Sequence, residues 1–169
     1  DRARSVDLKS AKNKQDAQQI LRQYRAQHPD KTHIVGFNWV AANFPSQGPR
    51  KEWIDDVISD VPVLLYDHYG HSAWVNSKAL KLAGLSGDTK DPARGHLERD
   101  SDTGELLGTL REDPAIALLG GVFKENNAEQ NYQSAKTAID YLNRQGITSF
   151  VTAYMVGDPL GEAFKRLYL

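Results

Sequence analysis

The sequence has no cysteine, a single methionine and no excess of charge: Lys and Arg number 21, Asp and Glu 22, for a formal net charge of -1. Without cysteine there can be no disulfide and no thiolate metal site, and the compartment is left open, because cysteine-free chains occur in oxidising and reducing spaces alike. Balanced charge gives no field to draw nucleic acid or an acidic membrane surface. No apolar run approaches the roughly 20 residues of a membrane span, and the amino terminus lacks a signal-peptide pattern. Internal repeats, low-complexity linkers, a phosphate-cradling glycine loop, a nucleophile elbow and a dinucleotide fingerprint are also missing. What is there is 169 residues, 40% hydrophobic and 25% charged, enough for one globular segment with a real core. The chain opens on Asp1 rather than methionine, as expected of a processed or excised chain or of part of a longer one.

Residues Asp1 to Ser10 show no clear period. From Lys12 to His28, Ala17, Ile20, Leu21 and Tyr24 fall at helical spacing and Pro29 closes the segment, with the intervening Lys, Arg and Gln forming a solvated face. Thr32 to Val40 reads as a strand and Glu52 to Ile58 as a short helix. His96 to Arg99 and Glu105 to Leu110 flank the turn sequence SDTG, predicting a β-hairpin that projects from the main body. Asp113 and Pro114 open a short helix, Asn127 and Gln130 form a capping-box pattern ahead of a longer one that stops at Gly146, Ile147 to Tyr154 reads as a strand, and Pro159 begins a last helix. The alternation predicts an α/β fold with at least partly parallel strands.

The chain is organised around VPVLLYDHYGHSAWVNSKALKLAGL, Val61 to Leu85. An apolar run through Tyr66 has the length of a strand covered on both faces. Asp67, His68, His71 and Ser72 then follow at its carboxyl end, where α/β architectures bind ligands. Ser72 reads as the N-cap of a helix carrying Trp74, Val75, Leu80 and Leu82, and Gly84 stops it. Asn76 would sit one turn inside, where its amide could brace the preceding loop or face a ligand. Asp67, His68 and His71 are residue types that bind zinc and related ions, but imidazoles so spaced also serve as hydrogen-bonded structural groups, and one at a strand end can polarise a carbonyl. Among the carboxylates from Glu98 onward, Glu112 stands apart because it leaves a strand and precedes a helix. Site residue and first-turn helix charge are both open to it. Trp39, Trp53 and Trp74 are expected as core anchors, with Trp39 and Trp74 near enough to strand ends to wall a pocket.

Taken in order, that stretch, the DP of Asp91 and Pro92, HLERD, DTGELLGTLRED and QGITSF resemble the YtcJ-like branch of the amidohydrolase superfamily, amidohydrolase family 3, over Val6 to Tyr154. The resemblance implies a metal-dependent hydrolase of amide-like carbon-nitrogen bonds on a TIM-type barrel with a small β-sandwich beside it. This chain would be a middle portion, 1–169 forming a single α/β segment with a hairpin-bearing insertion at approximately 86–112. The family's His-x-His pair would lie upstream and its later histidines and aspartate downstream. His71 and Asn76 match the HSAWVN signature, so the resemblance implies His71 as the carbonyl-polarising residue, and His71, Asn76, Trp74, Asp67 and His68 on the substrate side. Glu112 matches the glutamate of GxLxE, here GTLRE, and is implied as a metal ligand. Two departures stand out. The family's DGH is replaced by Asp67, His68, Tyr69 and Gly70, and Thr152 stands where an acidic residue is common.

The expected cofactor is a divalent metal, zinc, in the full-length enzyme, with none required of this chain by itself. The expected partner is a small amide-like substrate, with no nucleic acid and no membrane span. The chain alone is expected to be inactive and, through exposed strand edges, to self-associate. The alternative is a stand-alone, non-catalytic small-molecule-binding module of the same fold.

Overall fold

Side chains alternate between two hydrophobic clusters along Val63, Leu64 and Leu65, the period of a strand covered on both faces. A computed structural model describes residues 5–123, 127–151 and 159–168. The chain divides into two compact units, Asp1–Phe123 and Lys124–Leu169.

The first unit is built on a six-stranded mixed sheet in the order β1-β2-β3-β4-β6-β5. Its strands are β1 (Val6–Asp7), β2 (Ile34–Trp39), β3 (Val63–Asp67), β4 (Ser72–Val75), β5 (His96–Arg99) and β6 (Leu106–Arg111). β1, β2 and β3 are parallel, and the pairs β3 with β4, β4 with β6 and β5 with β6 are antiparallel. α1 (Lys14–Gln27) and α2 (Lys51–Asp55) link the parallel strands. Asn13 caps α1 by accepting from Asp16 N at 2.9 Å. Ala17 and Leu21 of α1 and Ile54 of α2 join Val6, Ile34, Trp39, Val63, Leu65 and Trp74 in one cluster. The other cluster unites Leu64, Ala73 and Val75 with Leu80 of α3 (Ser77–Leu82) and Ala115 of α4 (Asp113–Ile116). Gly36 leaves space that side chains of β1 and β3 fill: a Cβ there would lie 2.4 Å from Val6 Cγ1 and 2.6 Å from Leu65 Cδ2.

The second unit contains α5 (Ala128–Arg144) and α6 (Pro159–Tyr168). The capping box is present in full, with Asn127 and Gln130 each accepting from the other's backbone N–H at 2.9 Å. Arg166 pairs with Glu129 at 3.2 Å and lies over the Tyr132 ring.

Four expectations change. Ser72 to Val75 is a strand and Ser72 caps nothing; the residues are buried throughout and find hydrogen-bonding partners in β3 and β6 on either side. The helix starts later, and its N-cap is Asn76. The hairpin β5–β6 does not project, because β6 pairs with β4 and becomes an inner strand of the sheet. β1, two residues long, had no readable period. In the segment read as a strand from Ile147 to Tyr154, residues 147–151 carry no strand, and the remainder lies outside the described residues. No helix among the described residues is long and apolar enough to cross a membrane.

Candidate functional site

One edge of the sheet gathers the polar residues. The parallel strands end there, β6 ends there, and β4 and β5, running the other way, begin there. Trp39 is thus paired with Asp67, Ser72 with Arg111, and Arg111 with His96. The turn between β3 and β4 closes by a 3.2 Å bond from Gly70 N to Asp67 O, and Ser72 N donates to Asp67 Oδ1 at 3.1 Å. Asp67 is only 6% exposed, so its carboxylate ties the turn together from inside. His68 N donates to Trp39 O at 3.0 Å, while its exposed ring packs beside that of Tyr69, centroids 3.6 Å apart.

His71 and Glu112, separated by 41 positions, meet at this edge. His71 Nδ1 lies 3.1 Å from Glu112 Oε2, and Glu112 N donates to His71 O at 2.7 Å. A carboxylate on Nδ1 fixes the ring and leaves Nε2 free. Both side chains are open to water, at 67% and 55% exposure, so the ion pair itself contributes little stability. The backbone carries the cost of this geometry. Glu112 has φ 66° and ψ 154°, a conformation close to glycine's own and worth on the order of 1–3 kcal/mol of strain. It is held there from both sides, since its carbonyl also accepts from Ala115 N and Ile116 N and so starts α4. The Glu112 side chain therefore meets His71 and makes no capping bond to α4.

Asn76 and Trp74 lie deeper, each with 0% exposure. The Asn76 amide oxygen accepts from Val63 N and Ala79 N, both at 3.0 Å, and its nitrogen donates to Ile58 O at 3.1 Å and Val61 O at 2.9 Å. Every hydrogen-bonding position of that amide is therefore used in bracing the loop before β3 and capping α3. Trp74 Nε1 donates to Arg50 O at 3.0 Å, with its ring packed against Phe44 and Trp53. Of the substrate-side residues expected from sequence, His71 and His68 alone reach the surface.

Further along the edge, His96 Nδ1 lies 2.6 Å from Asp91 Oδ2, and Arg99 binds Asp91 Oδ1 at 2.8 Å. The Arg99 guanidinium, helped by His96 and the Leu97 N–H, holds the Asp91 carboxyl down to about 2. Next to the His71–Glu112 pair is a recess of about 480 Å³ lined by Arg94, Glu112, Asp113 and Pro114. Sequence reasoning passed over Arg94 and Asp113. The available signals were the glycine that follows Arg94 in DPARG and the second carboxylate that follows Glu112.

Among the described residues, no group of three or more His, Asp or Glu side chains could hold a metal ion. His71 and Glu112 supply two donors, fewer than the three protein ligands of a catalytic zinc. The described residues do not by themselves fit a metal.

A family model described as "Amidohydrolase family" matches residues 2–163. The chain is similar to the Protein LONG AFTER FAR-RED 3 of Arabidopsis thaliana, 28% identical over 146 residues covering 86% of this chain and 25% of that protein. It is also similar to an N-substituted formamide deformylase of Arthrobacter pascens, 30% identical over 154 residues covering 88% of this chain and 28% of that protein. The fold matches the crystal structure of an uncharacterized metal-dependent hydrolase from Pyrococcus furiosus with a TM-score of 0.60 and 25% identity, over 98% of this chain and 31% of that one. The chain thus spans about a quarter of the length of the curated relatives it matches.

Proposed function

Starting from a chain that belongs to the amidohydrolase family, we propose that the protein hydrolyses amide-like, non-peptide carbon-nitrogen bonds in small molecules. The parallel strands β1, β2 and β3 with α1 and α2 would be part of a TIM-type barrel, and the antiparallel strands that follow, with approximately 86–112 as a hairpin-bearing insertion, would extend it. A divalent metal, zinc by expectation, would be held mainly by side chains other than the described ones, and when bound would supply an activated water. Glu112 is a candidate ligand of that metal.

The observation that carries this reading is the His71–Glu112 pair at the strand-end edge, 3.1 Å apart and set by a strained backbone. Glu112 holds the His71 ring by Nδ1. With the Nδ1 proton held by Glu112, His71 presents Nε2 to the substrate. As the imidazolium it donates to the carbonyl oxygen while negative charge develops there, and as the neutral ring it accepts a proton at Nε2. His68 lines the same exposed turn and would contact the substrate. Asp67 keeps that turn closed. Asn76 and Trp74 would serve the substrate indirectly, Asn76 by fixing the loop before β3 to the start of α3 and Trp74 by anchoring β4 to Arg50 O.

The test is turnover of a panel of N-substituted formamides and related amides by the chain alone and by a version extended in both directions. The extended protein is expected to hydrolyse members of the panel and the chain alone none. In the active form, His71→Gln should lower kcat/KM by about 100-fold or more. Metal analysis of Glu112→Gln separates the two roles of that residue: lost stoichiometry marks a ligand, and retained metal with lowered kcat marks a group that positions His71. Unchanged kcat/KM in His71→Gln would refute the assignment. Turnover by the chain alone would refute its dependence on further segments, and specific binding of amides without turnover in any form would favour the non-catalytic module.

A further inference from the structure

The recess beside His71 and Glu112 holds two exposed charged side chains of opposite sign, Arg94 and Asp113. Arg94 and Asp113 make no hydrogen bond or ion pair with any described residue, or with each other, although both line the same recess. By contrast, Arg99 pairs with Asp91 and Arg111 with Glu98. Arg94 is also out of place in its backbone. Gly95 N donates to Pro92 O at 3.0 Å, closing a tight turn, and Arg94 occupies that turn's third position at φ 62°, where glycine or asparagine is preferred. The turn has no room to shift. A Cβ on Gly95 would lie 2.7 Å from Ala115 N, so the loop is pressed onto the first residues of α4, which also carry Asp113. The arginine is thereby held on a strained turn within the recess, facing no protein partner.

A lone anion suits this recess poorly, because Glu112 and Asp113 repel it. A lone cation meets Arg94. We propose that the recess binds the zwitterionic head group of an amino-acid-like substrate, its carboxylate on the planar fork of Arg94 and its ammonium on Asp113. The amide to be cleaved would lie on the same molecule, toward His71. This assignment rests on the hydrolase reading for its second half and names the substrate class for it.

Binding separates the two claims, because it needs no turnover. The probes are N6-acetyl-lysine, its carboxamide, which lacks the carboxylate, and its Nα-acetyl derivative, which lacks the ammonium. The zwitterion is expected to bind the protein at least about tenfold more tightly than either blocked form. Arg94→Gly should erase the preference for a free carboxylate and Asp113→Asn that for a free ammonium. Arg94→Gly relieves a positive φ, so it should melt no lower than the parent, and loss of discrimination cannot then be put down to unfolding. Equal affinity for the three probes, or discrimination that survives both substitutions, would overturn the assignment. Zwitterion-selective binding without hydrolysis of any amide would uphold it and count against the hydrolase reading.

Discussion

Replacing Asn76 by alanine tests whether this residue holds the fold or meets a substrate. Its side chain is fully enclosed and makes four hydrogen bonds, to Val63 N, Ala79 N, Ile58 O and Val61 O. At roughly 1 kcal/mol of net stability each, their loss should cost about 4 kcal/mol. Part of that is the N-cap of α3, for which about 1 kcal/mol is usual. The remainder comes from tying the loop before β3 to the start of α3. Asn76→Ser restores the cap alone and should recover about 1 kcal/mol. Asn76→Asp keeps both acceptor bonds but turns a carboxylate oxygen toward the Ile58 and Val61 carbonyls, so it should be no better than alanine. Urea unfolding reads these differences directly, as midpoints that fall with an unchanged m value. A single domain has about 5–15 kcal/mol in total, so Asn76→Ala should be near its folding limit. An Asn76→Ala protein within about 1 kcal/mol of the parent would refute the brace. If such a protein also showed a raised KM, Asn76 would be returned to the substrate.

The strain at Glu112 has the opposite signature. Glu112→Gly removes a φ of 66° and should stabilise the fold by about 1 kcal/mol while abolishing the contact to His71, and a loss of stability in the same urea assay would refute the strain. Gly36→Ala would push a methyl to 2.4 Å from Val6 Cγ1 and should cost about 1–3 kcal/mol, with hydrogen exchange of β1 rising most. Asp91, with its carboxyl held down to about 2 against an ordinary 3.8, favours the folded chain above pH 3.8 and ceases to do so as pH falls through about 2. Asp91→Asn should therefore melt below the parent at pH 5, and the two should converge toward pH 2; a gap constant with pH would mean the carboxylate's charge is not what Arg99 and His96 hold.

The parts of the fold that were legible in sequence are those decided by local chemistry. The capping box at Asn127, the turn SDTG and the helical spacing of Ala17 and Leu21 each act within a few residues, and each is present in the structure. Ser72 to Val75 misled because its signals belong to two levels. A serine followed by bulky residues is a fair helix start, yet β3 and β6 offer backbone partners on both sides, and the tertiary context prevails. The cap was four residues further on, in a residue whose burial could not be seen from spacing. β1 is too short for any period to show, and is a strand because β2 lies alongside it.

The site divides along the same line. His71 and Glu112 were each singled out because a polar residue ends a strand and precedes a turn or helix, but their meeting needed the register that sets Ser72 opposite Arg111. One residue beyond that pair on each strand, His71 and Glu112 fall side by side, and the Glu112 N–H to His71 O bond continues the ladder. The recess follows from the same continuation. Glu112 must end β6 by pairing with His71 and begin α4 by accepting from Ala115 and Ile116, two tasks that together force its positive φ and place Asp113 immediately beyond it. The geometry at this edge is thus a consequence of ending an inner strand and starting a helix within one residue. Any substitution that relaxes that junction is expected to separate His71 from Glu112 before it disturbs the sheet.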